Sequence, residues 1–152
     1  MRTRSMKVID MAVRDVATIS GSRTITECAA QMRTEHVGSL VIVDENQCPV
    51  GMITDRDITI QVVARKLNPD EVPVAEVMTT PVVTAKIEES MVVALARMRE
   101  FGIRRLPIVD SENKLVGVIS NSNLVEELSS LLEGLVRNIH SSKAREVALR
   151  SD

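Results

Sequence analysis

The chain has 152 residues, 44% of them hydrophobic and 26% charged, with a formal net charge of −2 and a pI near 5.8. That is the composition of one globular domain or two small ones, and the acidic balance argues against a broad basic face for nucleic acid. With no Trp, no Tyr and one Phe, Phe101, no stacking platform for bases can be built, so aliphatic side chains must grip any planar ligand.

The leading stretch "MRTRSMKVIDMAVRDV" carries basic residues but no unbroken apolar run. It is read as lacking a signal peptide. No apolar run approaches the roughly 20 residues that cross a bilayer, and a cytoplasmic location is expected. A shift of 66 residues then aligns the chain with itself, without a gap, from Val8 to Ile58. Val16 meets Val82, Met32 meets Met98, "LVIVD" meets "LPIVD", "VGMIT" meets "VGVIS", and Asp57 meets Asn123. Two copies of this length predict a pseudo-twofold pair of small α/β units sharing one core.

In the first copy an extended piece, "VATI", precedes a helix from about Thr26 to Glu35, with Ile25, Ala29 and Met32 on an apolar stripe. Two strands follow, "SLVIVD" and "PVGMIT", joined by "ENQC", where Asp and Asn supply hairpin chemistry. A second helix starts near Asp55. The segment "ARKLNPDEVPVAEVM", with Pro69 and Pro73, reads as the connection. The second copy repeats the order: "PVVTA", a helix with Met91, Leu95 and Met98 on its stripe, strands "RLPIVD" and "LVGVIS" joined by "SENK", and a helix from Asn121. Pro107 stands where the first copy has Val41, which predicts an edge or short strand. From Asn123 onward one long helical pattern carries Leu124, Leu128, Leu131, Leu132, Leu135 and Ile139 on a stripe. Such a helix either folds back on its own core or meets a second chain or partner.

Chemistry concentrates where the last strand of each copy stops. Thr54 and Asp57, and Ser120 and Asn123, stand at the spacing of a helix-capping pair. The same spacing converges a hydroxyl and a carboxylate on one helix end, where a carboxylate can accept from both hydroxyls of a ribose. Free backbone N–H groups at that end would meet an anion, and Gly51 would let a ligand approach closely. Asn123 lacks the charge of Asp57, so two such sites would differ. Both readings, cap and diol clamp, stand on the residues alone.

His36 and His140 have no metal-ligand spacing, and no Ser-His-Asp or Cys-His signature occurs. No catalytic residue and no metal site is assigned. Cys28 lies in an apolar helical pattern and reads as packed, Cys48 in a turn and reads as exposed; they make no disulfide framework. Met32 and Met98 read as core filler.

The segments "VGSLVIVDENQCPVGMITDRDI" and "GIRRLPIVDSENKLVGVISNSNL" resemble the CBS domain, a module that works in tandem pairs. The resemblance covers residues 8–64 and 74–130, with a linker at 65–73 and a C-terminal helical extension at 131–150, as in a stand-alone two-domain module. It implies an α/β (α+β) fold. Two β-α-β-β-α units would pack sheet to sheet with pseudo-twofold symmetry, and a long C-terminal helix would follow. It also implies clefts for an adenosine-containing ligand: AMP, ADP, ATP, S-adenosylmethionine or NAD. Carried over by position, Thr54 with Asp57 and Ser120 with Asn123 would hold ribose. Val16 to Thr18 and Val82 to Thr84 would line the base, and Arg104 and Arg105 would face phosphate. The first copy has Gly38 and Ser39 at the arginine positions, where Arg56 could compensate. An arginine pair can also simply discourage edge pairing of a strand. The implied role is regulatory rather than enzymatic: a ligand sensor acting through a homodimer or an unidentified protein partner, with no nucleic acid and no membrane. The alternative is a structural dimerisation protein with no ligand.

Overall fold

In the computed structural model, which describes residues 6–150, each copy of the repeat builds a three-stranded sheet. One contains β1 (Thr18–Ser20), β2 (Ser39–Val43) and β3 (Pro49–Thr54); the other contains β4 (Ala85–Lys86), β5 (Arg105–Val109) and β6 (Leu115–Ser120). β2 and β5 are central. β1 runs parallel to β2, and β3 antiparallel to it. The helices are α1 (Ile25–Glu35), α2 (Asp55–Ile58), continued by a π-helical turn over Thr59–Val63, α3 (Val74–Val77), α4 (Met91–Phe101) and α5 (Asn121–Arg150). The chain divides into two compact units, one ending at Ile119 and one beginning at Ser120.

Local chemistry sets the element ends, and it does so twice. Thr24 accepts from the backbone N–H of Glu27 at 3.2 Å to start α1, and Ser90 from that of Val93 at 3.3 Å to start α4. α1 ends on His36 with φ 55° and α4 on Gly102 with φ 63°, both in the left-handed region. In the first hairpin Asp44 Oδ1 accepts from the N–H groups of Asn46 and Cys48 at 2.8 and 3.0 Å. In the second, Asp110 Oδ1 accepts from those of Glu112 and Lys114 at 2.9 Å each.

The two sheets are tied by exchange of their leading segments. Four isolated backbone bridges, Lys7 to Ser90, Thr24 to Pro73, Val13 to Val118 and Met52 to Thr79, form two pairs related by the 66-residue shift. Val74, which opens the second copy, is fully buried in the core of the first with Ile25, Leu40, Ile42 and Ile53. Val8 mirrors it: its N–H donates to the Glu89 carbonyl at 3.0 Å, as that of Val74 donates to Arg23 at 2.8 Å. Each copy therefore starts on the other.

Several sequence expectations are corrected. The buried stripes are Ile25, Cys28 and Met32 on α1 and Met91, Ala94 and Met98 on α4. Ala29 is exposed and Leu95 is 44% exposed. The helices turn their i+3 rather than their i+4 position to the sheet. Of "VATI" only Thr18 and Ile19 enter β1, and of "PVVTA" only Ala85 enters β4. Pro107 is fully buried in the central strand β5, not at an edge. The reason lies in register. Thr18 pairs with Val41, whose N–H donates to the Ala17 carbonyl at 3.1 Å. Pro107 has no N–H to give, so pairing of β4 with β5 begins one residue later, at Ala85 and Ile108. The proline shortens its neighbour instead of moving to the rim.

α5 spans 30 residues, about 45 Å at 1.5 Å per residue. Leu124 is buried, whereas Leu128, Leu131, Leu132, Leu135 and Ile139 are 46–62% exposed. Beyond Leu124 the stripe is exposed. No helix of the described residues is long and apolar enough to cross a membrane.

Candidate functional site

The bridge between Met52 and Thr79 creates the site. The Met52 N–H donates to the Thr79 carbonyl at 3.2 Å and the Thr79 N–H to the Met52 carbonyl at 2.8 Å, which lays the leading segment of the second copy along β3 of the first. A cavity of about 170 Å³ opens there. Its walls are aliphatic: Met52, Pro81, Val82, Val83 and Ile103. Thr54, Asp57 and Thr79 bring oxygen atoms to it, and Arg104 and Arg105 bring two cations. Residues from both copies are required, because Thr54 and Asp57 come from the first and the valines and arginines from the second.

Thr54 and Asp57 make both halves of a capping box. The Thr54 N–H donates to Asp57 Oδ2 at 2.9 Å and the Asp57 N–H to Thr54 Oγ1 at 3.1 Å. Capping and cavity lining thus coexist: Asp57 Oδ1 and the Thr54 hydroxyl hydrogen are not consumed by the box. The backbone is less generous than expected. The Asp55 N–H donates to the Gly38 carbonyl at 2.9 Å and the Arg56 N–H to Asp55 Oδ1 at 2.8 Å. With the Asp57 N–H in the box, the first three donors of α2 are taken, so an anion here must rely on side chains.

Arg104 and Arg105 supply them. Neither makes an ion pair with a described residue, although Arg23, Arg97, Lys7 and Lys114 each do. Arg105 opens a central strand, so protection of a sheet edge does not explain it. Guanidinium groups with no ion-pair partner among the described residues, set beside an apolar cavity, favour a multivalent anion such as phosphate.

The remaining expected residues lie elsewhere. Arg56 is exposed and does not line this cavity. Thr84 is outside it; its carbonyl accepts from Arg97 Nη1 at 2.8 Å, as that of Thr18 accepts from Gln31 Nε2 at 2.8 Å. Thr18 lines a different cavity with Arg23, Gln31 and Asp44, and Val16 is half-buried and lines neither. Ser120 and Asn123 belong to the second compact unit, where the Asn123 N–H donates to Ser120 Oγ at 3.3 Å. Gly51 serves a purpose other than ligand approach: a Cβ there would stand 2.5 Å from Met78 Sδ and 3.1 Å from the Thr79 carbonyl oxygen. The glycine admits the crossing segment of the chain itself. Met52, Thr79, Pro81 and Ile103 were not anticipated, because the Met52–Thr79 pairing is long-range and leaves no local mark in the sequence.

Cys28 is buried, and burial pushes its thiol up to about 11. Cys48 is half-buried rather than exposed. Its thiol is also raised, first by desolvation and then by Asp44. Among the described residues no group of three or more His, Cys, Asp or Glu could hold a metal ion.

The family model of the CBS domain matches twice, over residues 8–63 and 74–130, and the chain belongs to that family as a tandem pair. It is 45% identical over 125 residues to a protein of Methanopyrus kandleri, covering 81% of this chain and 63% of that one, so it spans somewhat under two thirds of that relative's length. Among solved structures, a CBS domain protein from Pyrobaculum aerophilum complexed with AMP is 28% identical with a TM-score of 0.73, covering 84% of this chain and 97% of that one. A CBS domain pair in complex with 5′-methylthioadenosine and S-adenosyl-L-methionine is 25% identical with the same TM-score, covering 84% and 98%. The match indicates no catalytic family.

Proposed function

We propose that the cavity takes an adenosine-containing ligand, AMP, ADP or ATP, and that occupancy regulates a partner protein or the chain's own homodimer. The observation that carries this is the meeting, in one cavity, of aliphatic walls, the Thr54–Asp57 pair and two arginines without an ion-pair partner among the described residues. Each part suits one part of a nucleotide. Met52, Val82, Val83 and Ile103 take the base out of water without aromatic stacking. Asp57 accepts from ribose hydroxyls, and Arg104 and Arg105 meet phosphate. Adenosine compounds in the two similar structures support the same ligand class. Regulation then follows only if the ligand has different affinities for two arrangements. Exposed Val92, Val93, Leu95 and Phe101 on α4 support a homodimer as the responding assembly.

Isothermal titration with AMP, 2′-deoxy-AMP and adenosine tests the reading on wild type and Asp57→Asn, which keeps an oxygen to accept from the Thr54 N–H. Hydrogen bonds to a charged group contribute about 1.5–3 kcal/mol, so removing the 2′-hydroxyl, or the charge of Asp57, weakens binding roughly tenfold or more. Equal affinities for AMP and 2′-deoxy-AMP, or no heat with any of the three, overturn the assignment.

A further inference from the structure

We propose that α5 pairs with α5 of a second copy of this chain, and that the two helices run antiparallel. Every residue from Val125 to Arg150 is exposed. Val125, Leu128, Leu132, Leu135 and Ile139 follow one another at alternating spacings of three and four, the seam of a two-helix coiled coil. They are 62%, 60%, 62%, 55% and 46% exposed. Helical stability in water comes mainly from packing an amphipathic face, so this seam calls for a partner. The CBS family match ends at residue 130, and most of the seam lies beyond it.

Charge names the partner and its direction. The N-terminal half of α5, residues 121–135, carries Glu126, Glu127 and Glu133 and no basic residue. The C-terminal half carries Arg137, Lys143, Arg145 and Arg150 against Glu146 alone. A parallel pair would set acidic half beside acidic half and basic beside basic. An antiparallel pair centred between Leu135 and Val136 sets each acidic half beside the basic half of the other copy, and Leu132 of one helix then lies opposite Ile139 of the other. The same chain therefore supplies both the apolar face and the complementary charge.

This inference rests on the homodimer reading and is independent of ligand. Light scattering after size exclusion, over a concentration series, tests it on the full chain. Three variants are compared with wild type: Leu132→Glu, the triple reversal Glu126→Lys/Glu127→Lys/Glu133→Lys, and that triple combined with Arg137→Glu/Lys143→Glu/Arg145→Glu. Leu132→Glu and the triple reversal should each weaken the dimer at least about tenfold, and the sixfold variant should restore it, with helix content by circular dichroism retained throughout. A wild-type monomer overturns both the homodimer reading and this inference. A dimer indifferent to Leu132→Glu overturns the inference and leaves dimerisation through another face standing. Indifference to the triple reversal overturns the antiparallel arrangement.

Discussion

Replacing Gly117 with Ala tests the exchange of leading segments that ties the two sheets, at the crossing that mirrors the one beside the cavity. A Cβ at Gly117 would lie 3.0 Å from the Val13 carbonyl oxygen and 3.1 Å from Ala12 Cβ. Both belong to the crossing segment, and Val13 is held to Val118 by hydrogen bonds of 2.9 Å in each direction. Neither atom can swing away as a side-chain tip would, so the strand must shift. Overpacking of this kind costs about 1–3 kcal/mol, or roughly 2–12 °C in melting temperature for a chain of this size. Gly51→Ala meets Met78 Sδ and Cγ first. A methionine can re-rotamerise, but the Thr79 carbonyl oxygen at 3.1 Å cannot, so Gly51→Ala should also cost about 1–3 kcal/mol. Gly134, inside α5, has nothing within 4 Å of an added Cβ, and Gly134→Ala should stabilise by about 0.5–1 kcal/mol through helix propensity. Thermal unfolding followed by circular dichroism ranks the three. A Gly117→Ala or Gly51→Ala protein that melts with wild type would refute the crossing geometry.

Three further outcomes follow from the same structure. Arg104→Ala and Arg105→Ala should weaken AMP binding but not adenosine binding in titration calorimetry, with little change in melting temperature, because neither arginine makes an ion pair with a described residue. His36→Gly should raise the melting temperature by a few degrees, since His36 holds φ 55° where the second copy uses Gly102. Cys28 should resist a thiol reagent at pH 8 in the native state and react on unfolding. Burial pushes the folded thiol up from its ordinary 9.0 to about 11, so the stability it contributes is complete below about pH 9 and is lost as pH rises toward 11. A Cys28→Ala variant should lack that part of the alkaline decline in a denaturant titration across pH.

What the sequence made legible was local. The helix expected from about Thr26 to Glu35 lies within a residue of α1, Asp and Asn mark the hairpins, and the 66-residue self-match predicts the two equivalent sheets. Thr54, Asp57, Arg104 and Arg105 were readable as one chemistry, and the structure brings all four to a single cavity. What stayed hidden was long-range. Met52 and Thr79 meet only because each copy starts on the other, and no periodicity records that. Leu95 continues the four-residue spacing from Met91, yet the small Ala94 is the one fully buried. Position 3 and position 4 along a helix turn are nearly equivalent in pattern, and packing alone chooses between them. The expected free N–H groups at α2 failed for a similar reason: Gly38, Asp55 and Thr54 satisfy them from a strand end and the helix itself.

The central claim, a nucleotide held between the aliphatic walls, Asp57 and the two arginines, is tested most directly by melting the full chain in buffer and with excess AMP, beside Asp57→Asn and Arg105→Ala. A ligand at one hundred times its Kd adds about 2.7 kcal/mol, or roughly 5–11 °C here. A rise of that size in wild type, cut down in both variants, is the predicted result; an AMP-induced rise that survives both substitutions, or no rise at all, contradicts it.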